Sequence, residues 1–289
     1  MTDDGRLGVS KANPGMFKEA KRRGSYLTPA YAAAILLGLN ITAQAAGTAS
    51  SCPEIVADDV RHVITAPARW QKSDWRDLGL ATIGVIGIAA IADRPVRDEM
   101  RRHIPNDNRF MLEVERFGAD YSLAVLGGFY LAGSLGSNDT AAAVAQDGLA
   151  ASLIASGMIT PTIKFIAGRA RPRENTGFAD FHPFSKDHTA NSSFPSGHTT
   201  QAFALASVVA SHYEESWVKY SSYTVAGLAG IARSYHDAHF TSDVLAGALI
   251  GTLVGQSVVE HNNPLRDRKA MLLPEVAPEF AGVRLVRGF

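Results

Sequence analysis

Apolar residues in this chain fall into stretches at 78–92, 121–136, 148–163, 199–210, 223–232 and 244–259. None alternates apolar and polar residues over a useful length, so the pattern excludes half-buried strands and predicts helices. Turn clusters separate them: "DRP" (93–95), "PNDN" (105–108), "GSND" (136–139) and "EES" (214–216). Gly247, Gly251 and Gly255 recur every four residues in the last stretch, on one helical face, where small residues admit a neighbouring backbone. The expected fold is an all-α helical bundle.

A length of 289 residues accommodates one large domain or two small ones. Lys plus Arg equal Asp plus Glu at 28 each, so no basic field points to nucleic acid. The single cysteine, Cys52, rules out an internal disulfide. At the N-terminus Lys18, Lys21, Arg22 and Arg23 precede the apolar "AYAAAILLGL" (30–39) and the small-residue "AQA" (43–45). That order reads as an export signal cleaved after Ala45, and a start at Met16 gives it an ordinary length. An uncleaved anchor is the other reading, although the apolar core falls short of the roughly 20 residues of a spanning helix. The chain then divides into a leader (1–45), a helical extension (46–110), a core (111–262) and a polar tail (263–289).

Three polar clusters interrupt the helical background. "KFIAGRARPR" (164–173) carries Lys164, Arg169, Arg171 and Arg173 just after an apolar stretch. Cations there either complement a helix C-terminus or form an anion clamp, with guanidinium forks suited to phosphate oxygens. "PSGH" (195–198) opens the next helix: Ser196 is an N-cap residue, and the amides of Ser196, Gly197 and His198 can face an oxyanion. "ARSYHDAHFTSD" (232–243) places His239 and Asp243 four residues apart, within reach on one helical face. Such a pair is either structural or a nucleophile, since a carboxylate that takes the proton of one ring nitrogen leaves the other with its lone pair.

In this order, K-x6-RP, PSGH and R-x5-H-x3-D, the chain resembles the type 2 phosphatidic acid phosphatase superfamily, which also holds bacterial class A acid phosphatases and vanadium-dependent haloperoxidases. Lys164, Arg171 and Pro172 match its first motif, Pro195 to His198 its second, and Arg233, His239 and Asp243 its third. Ala232 stands where the family usually has serine, which removes one hydroxyl. The resemblance implies a bundle whose loops and helix termini gather the motifs at one end. It implies phosphate-ester hydrolysis through a phosphohistidine, with His239 as nucleophile, Asp243 orienting it, and His198 protonating the leaving oxygen and then activating water. Lys164, Arg171, Arg233 and the amides near Ser196 and Gly197 would hold the phosphoryl group. No metal ligand set accompanies the motifs, so no cofactor is expected, and vanadate would bind as a phosphate mimic.

Two other classes stay open: a haloperoxidase, and a bundle that binds anionic lipid without turnover. The substrate, a lipid phosphate, polyprenyl diphosphate, lipid A phosphate or soluble monoester, is not written in the motifs. Phe178, Phe181 and Phe184, between the first two motifs, either meet an acyl chain or pack that segment onto the bundle. Oligomeric state is equally unmarked. The expected location is the periplasm, soluble or held at the inner membrane, with the site facing outward. Because three apolar stretches precede Lys164, an exported N-terminus and an outward site agree only if an even number of stretches cross.

Overall fold

The computed structural model describes residues 52–103, 108–268, 271–277 and 280–286. The leader lies outside these residues. Helices α1 (Cys52–Thr65), α2 (Lys72–Ile91), α3 (Asp93–His103) and α4 (Arg109–Glu115) lead into α5 (Asp120–Gly136) and α6 (Asp139–Ser152). A π-helical turn, Leu153–Ile159, joins α6 to α7 (Thr160–Ala167), and α8 (Gly197–His212), α9 (Ser216–Tyr235) and α10 (Thr241–Arg268) complete the bundle. The apolar stretches are therefore all helical. In the polar tail, to which the sequence assigned no element, α10 runs on to Arg268 and β1 (Met271–Ala277) pairs antiparallel with β2 (Phe280–Val286). This hairpin is appended to an otherwise all-α fold.

Helix boundaries follow local chemistry. Gln71 and Asp74 form a capping box at the start of α2. Asn108 caps α4 by accepting from Phe110 N, and Asn138 caps α6 by accepting from Ala141 N. Pro161 in the first turn of α7 has no N–H to give, and the widened π turn just before it absorbs the missing bond. Gly168 ends α7 at φ +59, a left-handed cap that an L side chain tolerates poorly. "DRP", read as a turn, is instead the first turn of α3, and the chain bends by 46° between α2 and α3.

The long helices run between two ends of the bundle. One end holds Asp93, Lys164, the start of α8, the end of α9 and the start of α10. The other holds the start of α6, the end of α8, where His212 meets Asp147, and His261 of α10, which meets Asp58 of α1. The core between them is Val144, Ile154, Ala204, Val208, Val254 and Val258. The glycine stripe presses α10 onto α8: a Cβ on Gly247 would come within 2.6 Å of Ser196 O, and one on Gly251 would strike Thr200 O. That contact carries the third motif up against the second. Leu80, Ile83, Ile86 and Ile91 of α2, Leu131 and Leu135 of α5 and Leu253 of α10 stay exposed. Asp139–Ala167 and Thr241–Asn263 are long and apolar enough to cross a membrane, and α2 with α3 would count as a third, bent span.

Candidate active site

Short helices and loops at one end of the bundle gather the three clusters. Lys164 leaves the last turn of α7 and donates from Nζ to Ser192 O at 2.5 Å. Its Cε lies 3.8 Å from where a Cβ on Gly197 would stand, so the ammonium stem borders the start of α8. Arg171 donates from Nη2 to Ser192 Oγ at 2.9 Å. Arg233, in the last turn of α9, donates from Nη1 to Glu115 Oε2 at 2.7 Å. The Nε groups of Arg171 and Arg233 are buried without a protein acceptor. A buried guanidinium N–H left unpaired costs about 1–3 kcal/mol or more, a cost that an anion bound there would relieve. Burial, then Arg173 and Arg233, push the Arg171 guanidinium down to about 9, which leaves it charged at neutral pH.

The geometry corrects the role of Ser196. Its amide is spent on Asp243 O at 3.0 Å, its hydroxyl accepts from Thr199 Oγ1 at 2.8 Å, and it makes no side-chain cap bond. The first-turn amides of Gly197 and His198 have no intrahelical acceptor and form the positive end of α8. The amides open to an oxyanion are thus those of Gly197 and His198, without Ser196.

His239 is buried, and its Nδ1 lies 2.6 Å from Ser193 O. A carbonyl only accepts, so Nδ1 carries the proton and Nε2 keeps its lone pair, the tautomer a nucleophile needs. The partner is not the one that the i,i+4 spacing suggests. Asp243 Oδ2 is 3.9 Å from Nδ1, and it accepts instead from Ser193 Oγ at 2.5 Å and Phe240 N at 2.8 Å. Asp243 therefore orients His239 through Ser193. Burial, then Lys164, Arg171 and Arg233, hold the His239 imidazole well below its ordinary range, so the ring is neutral. Burial followed by Arg233 does the same to His198, while Glu115 opposes it.

Arg169, grouped with the clamp by sequence, faces away from it, pairing with Asp243 at 2.5 Å and Asp93 at 2.7 Å. Arg173 binds Thr189 O and Glu174. Ala232 is fully buried on α9. Sequence reasoning missed Ser193, Asp93 and Glu115; Glu115 also takes His236 Nδ1 at 2.7 Å, and burial opposed by His236 and Arg233 leaves its carboxyl at about 2. Ser193, two residues before Pro195, was within reach of motif reading; the carboxylates, far from the motifs in sequence, carry no local signal. Phe184 stacks edge-on against Phe165, Phe181 lies 5.5 Å from the Arg169 guanidinium, and both keep exposed faces. Among the described residues no group of His, Cys, Asp or Glu suits a metal ion.

Residues 148–264, which carry all three motifs, match the family model of the PAP2 superfamily, so the resemblance read from those motifs holds over that segment. Among curated proteins, a lipid A 1-phosphatase of Porphyromonas gingivalis is 43% identical over 84 residues, 28% of this chain and 19% of that protein. A lipid A 1-phosphatase of Rhizobium johnstonii is 36% identical over 106 residues, 34% of this chain and 40% of that protein. The chain thus spans less than half the length of these relatives. Among solved structures, LpxE of Aquifex aeolicus has a TM-score of 0.46 at 24% identity, covering 58% of this chain and 94% of that one. A PAP2-type phosphatidylglycerolphosphate phosphatase of Bacillus subtilis has a TM-score of 0.46 at 22% identity, covering 64% and 95%.

Proposed function

We propose that this chain is a metal-independent lipid phosphatase that works through a phosphohistidine at His239. The observation that carries the reading is the meeting of a neutral, Nδ1-protonated His239 with the buried, unpaired guanidinium donors of Arg171 and Arg233. Lys164, Arg171, Arg233 and the amides of Gly197 and His198 take the phosphoryl oxygens. His239 Nε2 forms the N–P bond as the P–O bond to the leaving group breaks, and His198 gives that oxygen its proton. In the second step His198 takes a proton from water, the water oxygen binds phosphorus, and the N–P bond breaks. Phosphoryl transfer asks mainly for positioning and charge stabilisation, which fixed cations supply. Burial and Arg233 hold the His198 imidazole well below its ordinary range; a bound phosphate, with its negative charge, offsets the cations and favours the protonated imidazole the first step needs.

The lipid substrate class is supported by the matched lipid A 1-phosphatases and by the exposed faces of Phe181 and Phe184 beside the first motif. The test is a phosphate-release panel: a lipid A 1-phosphate, a phosphatidate, a polyprenyl diphosphate and p-nitrophenyl phosphate. Release from a lipid, with ³²P trapped on His239, is the expected outcome. Orthovanadate should inhibit and EDTA should leave activity nearly unchanged; activity lost in EDTA and restored by Mg²⁺ would falsify the metal-free reading. Bromide oxidation with vanadate and peroxide would favour the haloperoxidase instead.

We place the bundle in the inner membrane with its site facing the periplasm. The apolar spans and exposed apolar helix faces support insertion. Because α2, α5 and the α6–α7 run each travel between the two ends, an outward site then puts residue 52 on the cytoplasmic side. Cys52, the single cysteine, tests this. An impermeant maleimide should label it only after the inner membrane is opened, and carbonate washing should leave the protein in the membrane. Labelling in intact spheroplasts, or release by osmotic shock, would overturn the inserted arrangement.

A further inference from the structure

The support of His239 reaches outside the segment that matches the family. Asp93, at the α2–α3 bend, accepts from Ser242 N at 2.8 Å, Ser242 Oγ at 2.6 Å and Arg169 Nη2 at 2.7 Å. Arg169 Nη1 reaches Asp243 Oδ1, Asp243 Oδ2 takes the Ser193 hydroxyl, and the Ser193 carbonyl holds His239 Nδ1. Asp93, Arg169, Ser193, Ser242 and Asp243 are all at most 2% exposed. We propose that Asp93 is a positioning residue for phosphoryl transfer, acting on His239 through Arg169, Asp243 and Ser193.

The physical reason lies in the guanidinium fork. With Nη2 held by Asp93 and Phe178 O, and Nη1 shared between Ser242 Oγ and Asp243 Oδ1, Asp243 keeps its second oxygen for Ser193. Without Asp93 the charged part of that hold is gone, and the guanidinium, tied on that arm only to Phe178 O, can turn further onto Asp243, which draws Oδ2 off Ser193 and loosens the carbonyl under His239.

The proposal rests on the phosphatase reading, and the test separates the two. Wild type, Asp93→Asn, Ser193→Ala and the double variant are compared in detergent on p-nitrophenyl phosphate and on an alkyl phosphate, with thermal melting to check folding. Asp93→Asn should lower kcat by about 10- to 100-fold, as small misplacements of a reacting group do, with KM within about threefold. The loss should be equal on good and poor leaving groups, because it falls on the nucleophile, and phosphohistidine formation in rapid quench should slow by the same factor. The double variant should be no worse than the poorer single. An unchanged kcat, additive losses, or a loss confined to the poor leaving group would overturn the role of Asp93. If Asp93→Asn does not fold, Ser242→Ala removes one donor from Asp93 and one acceptor from Arg169 Nη1, both within the same network, without changing any charge. It should cost kcat a few-fold, the size of one hydrogen bond, and an unchanged kcat there overturns the proposal as well. A wild-type protein that releases no phosphate and traps no phosphohistidine overturns the phosphatase reading itself, and this role with it.

Discussion

Each end of the bundle buries two carboxylates beside a histidine, and only one of the ends gathers the three motifs. At the far end Asp147 takes His212 Nε2 at 2.7 Å and Asn262 Nδ2 at 2.8 Å, and the same amide reaches Asp59 Oδ2 at 3.3 Å. These bonds tie α6, α8, α10 and α1 to one another. At the other end Asp93 and Asp243 flank Arg169, and His239 stands against Lys164, Arg171 and Arg233. A buried His–Asp contact is thus no signature of chemistry. The difference is what faces the ring: at the far end a carboxylate shared with an amide, whereas at the other end Lys164, Arg171 and Arg233 converge on His239, and the Nε groups of both arginines lack a protein acceptor. Such groups are expensive to bury, and phosphoryl oxygens bound there would complete them.

The sharpest break of that comparison is His239→Ala. It should reduce turnover by on the order of 10⁴-fold or more, as loss of a nucleophile does, leave no trapped phosphoenzyme, and barely move the melting temperature. Arg171→Ala follows, with about 10²- to 10³-fold lost from kcat/KM, the size seen when one oxyanion donor is removed; lysine in its place should recover little, because the fork is lost.

Glu115→Gln should show a smaller effect with a distinct pH signature. Glu115 raises the His198 pKa, so its removal lowers the pH at which the general acid deprotonates. The alkaline limb of kcat should move to lower pH, more visibly with an alkyl than with a nitrophenyl leaving group. The same variant affects stability. The Glu115 carboxyl falls from 4.5 to about 2 on folding, so its contribution is present above pH 4.5 and lost as pH falls towards 2. Acid unfolding of the variant should be shallower across that window. A variant with the wild-type profile in both assays would detach Glu115 from His198.

The smallest effect on catalysis belongs to the far end. His212→Ala should cost about 1–3 kcal/mol of stability, the penalty for leaving Asp147 short of a buried donor, while kcat stays within about threefold of wild type. Denaturant titration beside a turnover assay measures both. A large fall in kcat with unchanged stability would erase the distinction between the ends.

Much of this molecule was legible in its residues alone. Helical class followed from apolar runs without alternation, and the three motifs named Lys164, Arg171, Gly197, His198, Arg233 and His239, because each is a short local pattern at a helix end. Cluster reading left Arg169 among the cations that either end a helix or clamp an anion, and the i,i+4 spacing set Asp243 within direct reach of His239, since both inferences used spacing along the chain. Which way a side chain turns from a helix end depends on what meets it there, and the partner came from elsewhere: Asp93 lies 76 residues from Arg169. Glu115 lies 118 residues from Arg233. The sequence by itself determined the helices, their order and the chemistry of the motif residues, because propensity, turn chemistry and side-chain type are local properties. Only the tertiary structure decided which nitrogen of His239 holds the proton, which amides are left without an intrahelical acceptor at the start of α8 and which carboxylates brace His239, because those depend on hydrogen-bond partners that long-range packing alone brings within reach.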